Sequence, residues 1–535
     1  MISQISSRSL EDSAELSSGL ASPTSRLSNS FHYDKELLRQ CHTYIEQNNH
    51  HGLALIARQK GLPPFLRSKV WPILLKHHPF VAHPFIQPDN VPSTADQAKS
   101  TDSQLQQSIR KDLRRYMHGI AHSSAEEPLT ERELEIFDIL ERAIKKFVGK
   151  WGQIIKYDPA LTWIALGLAE WCPPIPNTPW VLLGRDVSSQ EKTCVGSVYE
   201  EYEKYIRAIP ELQNLLLDNP EDQCTPNLRF HEVYERLALV LLHSPESANK
   251  RKNNKKSFKV DKFSLPISGG TIEERVSFFI HIFQKLLPEL SDYFQDEQIL
   301  NKFGQQEDGW LIWWLKFCGS KVWSRVDRGR VWDLLLGWRL QSKKLESNKN
   351  YYSDKLHISD DLLNKLGPDV FWSVDHNEDN TVRLSKDDSF KDLINDLHID
   401  WKQSPSSSSS EGPLPMLSPP DQKILESFSE AAKPAIPFCK LDPHIELIFV
   451  SLALMKAKEN ILVELDQHEI RTYLSRLPAK SYNLSNKYKE YQVQNGKDVN
   501  EQVGEGFKYD YMDSIIYEAG ELWRKWLWMG MNGEN

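Results

Sequence analysis

The sequence predicts an all-α fold, and three observations carry that prediction. Apolar residues recur at helical spacing, most clearly in the series Val276, Phe279, Ile280, Phe283, Leu287 and Leu290. Stretches alternating apolar and polar residues are nearly absent, with one short strand expected around Asn380–Leu384. Helix-start signals precede apolar runs, as at Thr130-Glu131-Arg132-Glu133, where a hydroxyl and a carboxylate satisfy each other's end of the first turn.

Taken in order, residues 1–33 are small, polar and serine-rich, the composition of a disordered tail. Helical spacing begins with Leu37, Leu38, Cys41 and Tyr44. Gly61-Leu62-Pro63-Pro64 breaks the chain before a helix with Leu66, Val70, Ile73 and Leu74 on one face. Residues 78–104 carry Pro79, Pro84, Pro88 and Pro92 and read as loop. Behind Thr130, Phe137, Leu140, Ile144 and Phe147 share a face. A last long apolar series runs from Pro443 through Leu452 and Met455 to Leu462. Polar insertions are expected at about 245–262, with its basic run Lys250–Lys259, and at about 341–425, with five consecutive serines at 406–410. Residues 481–535 form a helical extension. Its Leu522-to-Met529 segment, dense in tryptophan, either packs onto the domain or docks on a membrane surface or protein partner.

Sixty-five basic against 74 acidic residues leave a net charge of −9, which is not the footprint of a nucleic-acid binder. The six cysteines form no Cys-x-x-Cys pair, so neither a disulfide framework nor a zinc ribbon is expected, and reduced thiols suit a cytoplasmic protein. No apolar stretch is long enough for a transmembrane helix, and the N-terminus lacks the apolar core of a signal peptide. Glycine-rich phosphate loops are absent, so no nucleotide or other cofactor is expected. His118 and His122 have the spacing of a metal pair, but no third ligand accompanies them, and no metal is expected.

The run Ser108-Ile109-Arg110-Lys111-Asp112-Leu113-Arg114-Arg115-Tyr116 stands apart from an ordinary solvated helix. Ile109, Asp112, Leu113 and Tyr116 share one helical face, and four cations crowd the remainder. Asp112 precedes Arg115 by three residues and is placed to hold it. A guanidinium fork neutralises the charge that spreads over phosphoryl oxygens during GTP hydrolysis, without ever losing its proton.

Three further signatures surround this run. Gly61-Leu62-Pro63 with Leu66-Arg67 and Val70-Trp71 precedes it, and Leu286-Leu287-Pro288-Glu289-Leu290 follows. Trp314 is then followed, 18 residues on, by Trp332 within Arg330-Val331-Trp332-Asp333, where Arg330 and Asp333 are spaced to pair across one turn. With the closing segment Ile445–Pro478, these resemble the TBC domain, the all-helical module of Rab GTPase-activating proteins, over roughly residues 55–480. The resemblance implies a multi-helical TBC domain over residues 34–480 with long polar insertions. The serine tract before the last helices is similar to the fungal TBC proteins named for oxidant-induced cell-cycle arrest.

In that family the arginine of Ile-x-x-Asp-x-x-Arg is a finger inserted into a partner's active site, and a glutamine in Tyr-x-Gln-Gly orients the attacking water. The resemblance therefore assigns Arg115 as the finger and Asp112 as the residue positioning it, with Ile109, Tyr116 and Tyr157 toward the partner, a GTP-bound Rab-type GTPase. The chain departs from the pattern at Tyr157-Asp158-Pro159-Ala160, where Pro159 stands in the glutamine's place. Proline is comfortable at the first helical position with Asp158 as N-cap, so the departure removes the amide and leaves the helix. Tyr116 is a second departure, since threonine is usual after the finger. Two functions stay open. One is an enzyme regulator that accelerates GTP hydrolysis through Arg115. The other is a catalytically inactive TBC domain serving as GTPase-binding scaffold or effector in a signalling or trafficking complex.

Overall fold

The computed structural model describes residues 35–89, 97–120, 129–184, 194–207, 209–216, 228–245, 269–300, 309–339, 369–371, 441–476 and 511–531. Helices dominate them: α1 (Lys35–Glu46), α2 (His50–Gln59), α3 (Arg67–Lys76), α4 (Gln97–Ile120), α5 (Glu131–Trp151), α6 (Pro159–Ala169), α7 (Phe230–Leu241), α8 (Ile272–Leu286), α9 (Pro288–Asp296), α10 (Gly309–Leu315), α11 (Arg325–Leu336), α12 (Pro443–Lys456), α13 (Gln467–Ser475) and α14 (Tyr511–Met531). The all-α expectation holds. Among the described residues the β-structure is one antiparallel ribbon, β1 (Trp180–Leu182) with β2 (Val195–Ser197), in which Val181 faces Gly196. The tail at 1–33, the strand expected at Asn380–Leu384 and most of both insertions lie outside the described residues.

Local chemistry explains several boundaries. The capping box at Thr130 forms as expected, with Thr130 N–H donating to Glu133 and Glu133 N–H to the Thr130 hydroxyl. The 276–290 series is two helices rather than one. Pro288 opens α9 without an N–H to continue α8, and Leu287 before it adopts φ −129°, ψ 61°. The 443–462 series likewise stops at Lys456, before a separate turn at Glu459–Leu462. The 78–104 stretch is more helical than its prolines suggested: Pro79–Ala82 makes a helical turn, and α4 already begins at Gln97.

Asp333, fully buried on α11, ties the first motif to the last. Its carboxylate accepts the Leu62 N–H at 3.0 Å, the Trp71 indole N–H at 2.7 Å and the Arg67 guanidinium at 2.8 Å. This corrects the expected Arg330–Asp333 pair. Arg330 instead caps the end of α2 through the carbonyls of Ala57 and Arg58, at 3.2 and 3.0 Å, and meets Asp513 of α14 at 2.5 Å. Gly61 lies under the Arg330 side chain at φ +73°, a conformation and a space that both demand glycine.

α12 is buried on every side from Pro443 to Met455. Its one carboxylate, Glu446, pairs with buried Arg58 at 2.8 Å, and Asp369 takes the other edge of that guanidinium at 2.7 Å. Asp369–Phe371 sits within the stretch read as a polar insertion, yet Asp369 and Phe371 are both buried in the core. A fully buried guanidinium needs acceptors, and sequence spacing gives no hint that one lies 311 residues away. α14 lies along α12, with Trp523 on Phe449 and Trp526 on Phe278 at ring-centroid distances of 5.2 and 5.5 Å. These two tryptophans are spent on the core, which corrects the alternative of a membrane- or partner-docking role for them.

Candidate functional site

α4 buries Ile109, Leu113 and Tyr116 against the core and turns Arg110, Lys111, Arg114 and Arg115 outward. Burial at positions i, i+4 and i+7 follows from the helical period and fixes which side Arg115 faces. Ile109 and Tyr116, expected toward a partner, are 0% and 1% exposed and instead set the position of the helix. Arg110 is engaged by Glu141 of α5 at 2.7 Å. The Arg115 side chain is 59% exposed, and among the described residues its hydrogen bond is Nη1 donating to Asp112 Oδ1 at 3.2 Å.

Asp112 is held in turn. Its side chain is 7% exposed, and its Oδ2 accepts the Tyr157 hydroxyl at 2.9 Å. The Tyr157 oxygen also lies 2.9 Å from Thr162 Oγ1. A phenol has one proton, and Asp112 takes it, so the Thr162 hydroxyl donates to Tyr157. Burial, reinforced by the Asp112 charge, raises the Tyr157 phenol well above the ordinary tyrosine range. It stays protonated and remains a donor. Thr162, fully buried on α6, carries no motif signal. Its place in the relay emerges only once Tyr157 is seen to face Asp112.

The start of α6 is built as expected. Asp158 is the N-cap, its Oδ1 accepting the Ala160 N–H at 2.8 Å, and Pro159 occupies the first helical position, exposed. The ring at Pro159 offers no hydrogen-bond donor or acceptor. Exposed Gln153 belongs to the preceding turn, where its backbone N–H is held by Asp89 at 2.9 Å.

Relatives in three yeasts named oxidant-induced cell-cycle arrest protein 5 match nearly end to end. That of Meyerozyma guilliermondii is 51% identical over 93% of this chain and 96% of its own length. That of Debaryomyces hansenii is 53% identical over 95% and 82%, and that of Kluyveromyces lactis 30% identical over 93% of each. The chain belongs to the oxidant-induced cell-cycle arrest protein 5 family. No family model and no solved structure matches it.

Cys41, Cys172, Cys194 and Cys318 are all buried, and burial pushes their thiols up, Cys41 and Cys318 to about 12. Thiolate attack on an oxidant is suppressed at these four positions. Tyr116, next to the exposed arginine, donates to Glu170 at 3.3 Å and accepts the Gly184 N–H at 3.0 Å, tying α4 to the end of β1. Glu170 also pairs with buried Arg328 of α11. No group of three or more His, Cys, Asp or Glu among the described residues could hold a metal ion. The His118 side chain and His122 lie outside the described residues. No described helix is long and apolar enough to cross a membrane.

Proposed function

We propose that this chain carries a TBC domain and activates GTP hydrolysis by a Rab-type GTPase, supplying Arg115 in trans to the phosphoryl oxygens. The single observation that carries this reading is the Arg115–Asp112–Tyr157–Thr162 relay. It presents an exposed guanidinium from a buried carboxylate whose other oxygen is already occupied. Holding the fork in place lowers the ordering cost of inserting it into a partner, and an arginine finger contributes roughly 10³–10⁵ in rate. Acceleration would depend on the GTPase's own glutamine to orient water, because Pro159 has no amide. With a partner whose catalytic glutamine is changed to leucine, acceleration should disappear. Acceleration that persists would mean the chain supplies its own water-positioning group, against this reading.

Pro159 also favours a second reading, a catalytically inactive TBC domain that binds a GTP-loaded GTPase as scaffold or effector in a cytoplasmic signalling or trafficking complex. Nucleotide-dependent binding without acceleration distinguishes it.

A further inference from the structure

The surface around Arg115 carries more than one exposed cation. Lys111, one turn before Arg115, and Arg114, immediately before it, are exposed on the same helix, α4. Lys111 stands four residues from Arg115 and three from Arg114, spacings that put Cβ atoms about 5–6 Å apart. Like charges at such spacings repel and weaken a helix. Glu141, with Asp138 at 4.0 Å, takes up the charge of neighbouring Arg110. Among the described residues no ion pair takes up Lys111 or Arg114. Lys156, exposed one residue before Tyr157, adds a further cation, and exposed Asp158 already spends one oxygen on the α6 cap. A chain of net charge −9 thus gathers cations on the face that presents Arg115.

An apolar side chain stands near them. Ile154 is 60% exposed in the turn between α5 and α6. That turn is pinned on both sides. The Asp89 N–H donates to the Lys150 carbonyl at 2.8 Å, and the Gln153 N–H donates back to Asp89 Oδ2 at 2.9 Å. The Ile154 and Ile155 N–H groups donate to the carbonyl of buried Trp151 at 3.3 and 2.9 Å. Three residues of chain span at most about 11 Å, so Ile154 stays close to Tyr157, whose hydroxyl touches the carboxylate that holds Arg115. An interface of standard size covers about 800 Å² of each partner, roughly 30 Å across, wide enough to take in Arg115, Lys111, Arg114 and Ile154 together. An anchor whose backbone is already fixed costs little ordering on binding, and surface charge of one sign steers a partner of the other.

We propose that Lys111, Arg114 and Ile154 form the docking surface for the GTPase, and that the surface they meet is acidic, with an apolar spot, beside its nucleotide. This inference rests on the reading of Arg115 as the finger. The two cations steer and hold the partner's carboxylates, Ile154 packs on the apolar spot, and Arg115 alone enters the nucleotide site.

The test uses the full chain with GTP-loaded Rab-type GTPases. Equilibrium binding and stimulated hydrolysis are measured across about 50–300 mM salt. Lys111→Gln/Arg114→Gln is compared with Lys35→Gln/Lys76→Gln, which removes the same charge from exposed positions on α1 and α3. Circular dichroism first confirms that each variant folds. The α4 pair should weaken binding by about tenfold or more at low salt and flatten its salt dependence, the loss falling on KM rather than kcat. The control pair should change neither. Ile154→Ser should weaken binding by about tenfold at every salt concentration. A GTPase accelerated through Arg115 yet bound equally well by the α4 pair and by Ile154→Ser would overturn the docking surface and leave the finger standing. Nucleotide-dependent binding that needs Lys111 and Arg114, without acceleration through Arg115, would keep the docking surface and remove the finger. Vesicles of phosphatidylcholine and phosphatidylserine bound by the chain but not by the α4 pair, with GTPase binding unchanged, would assign the surface to a membrane and overturn the proposal. Binding to no GTPase would overturn both.

Discussion

The Tyr157 hydroxyl donates to Asp112 Oδ2 at 2.9 Å across 45 residues of chain, and so fixes the carboxylate whose other oxygen holds Arg115. Two segments that look independent in sequence are one device. The α4 motif provides the cation and its carboxylate, and the residue before the α6 cap orients that carboxylate.

Tyr157→Phe should therefore reduce stimulated GTP hydrolysis by about 10²-fold, the scale of an ångström-sized misplacement of a reacting group. Binding to the GTP-loaded partner should change by less than threefold. Thr162→Val should act in the same direction and more weakly. Single-turnover rates alongside equilibrium binding check both. Equal loss of rate and affinity would mean that Tyr157 merely supports the fold.

Asp333→Ala should destabilise the chain by about 3–5 kcal/mol, because it strands the buried Arg67 guanidinium and frees the Leu62 and Trp71 N–H groups. Denaturant unfolding with a fixed slope measures this. Asp333→Asn, which keeps the shape and one acceptor, should recover part of the loss.

Acid should destabilise the fold below neutrality. Burial lowers His243 to about 3 and His51 to about 4, against an unfolded value near 6.5. Between those limits the unfolded chain binds more protons, so stability rises with pH. The neutral-histidine contribution is complete above about pH 6.5 and declines as pH falls toward 4. Melting temperatures at pH 7.5, 6.0 and 5.0 should fall in that order, and His243→Phe, which keeps the stack on Phe80, should flatten the trend. An unchanged slope in that variant would remove His243 as a contributor.

The buried thiols give a direct chemical check. In a Cys224→Ser/Cys439→Ser chain, Cys41, Cys172, Cys194 and Cys318 should resist a disulfide reagent until the protein unfolds, with rates that follow unfolding. Fast labelling of the native chain would contradict their burial.

The sequence was most readable where local physics decides the outcome. The capping box at Thr130, the Asp158 cap with Pro159 behind it, and the single face shared by Ile109, Leu113 and Tyr116 follow from spacing alone, although that face turns into the core and not toward a partner. It was least readable where a buried charge chooses a distant partner. Asp333 takes Arg67 rather than Arg330, and Arg58 takes Asp369 from a stretch that composition marks as solvent-facing. Tertiary desolvation decides such pairs, and no one-dimensional period records it. Thr162 was hidden for the same reason: its hydroxyl matters through Tyr157, which only the packing of α6 on α4 brings to Asp112.

The measurement that bears most directly on Arg115 is single-turnover GTP hydrolysis by a panel of Rab-type GTPases, with this chain and with Arg115→Ala. Acceleration of at least one GTPase, lost by about 10³-fold or more in the variant while binding persists, is the predicted result. Equal rates with both forms would contradict an arginine-finger mechanism.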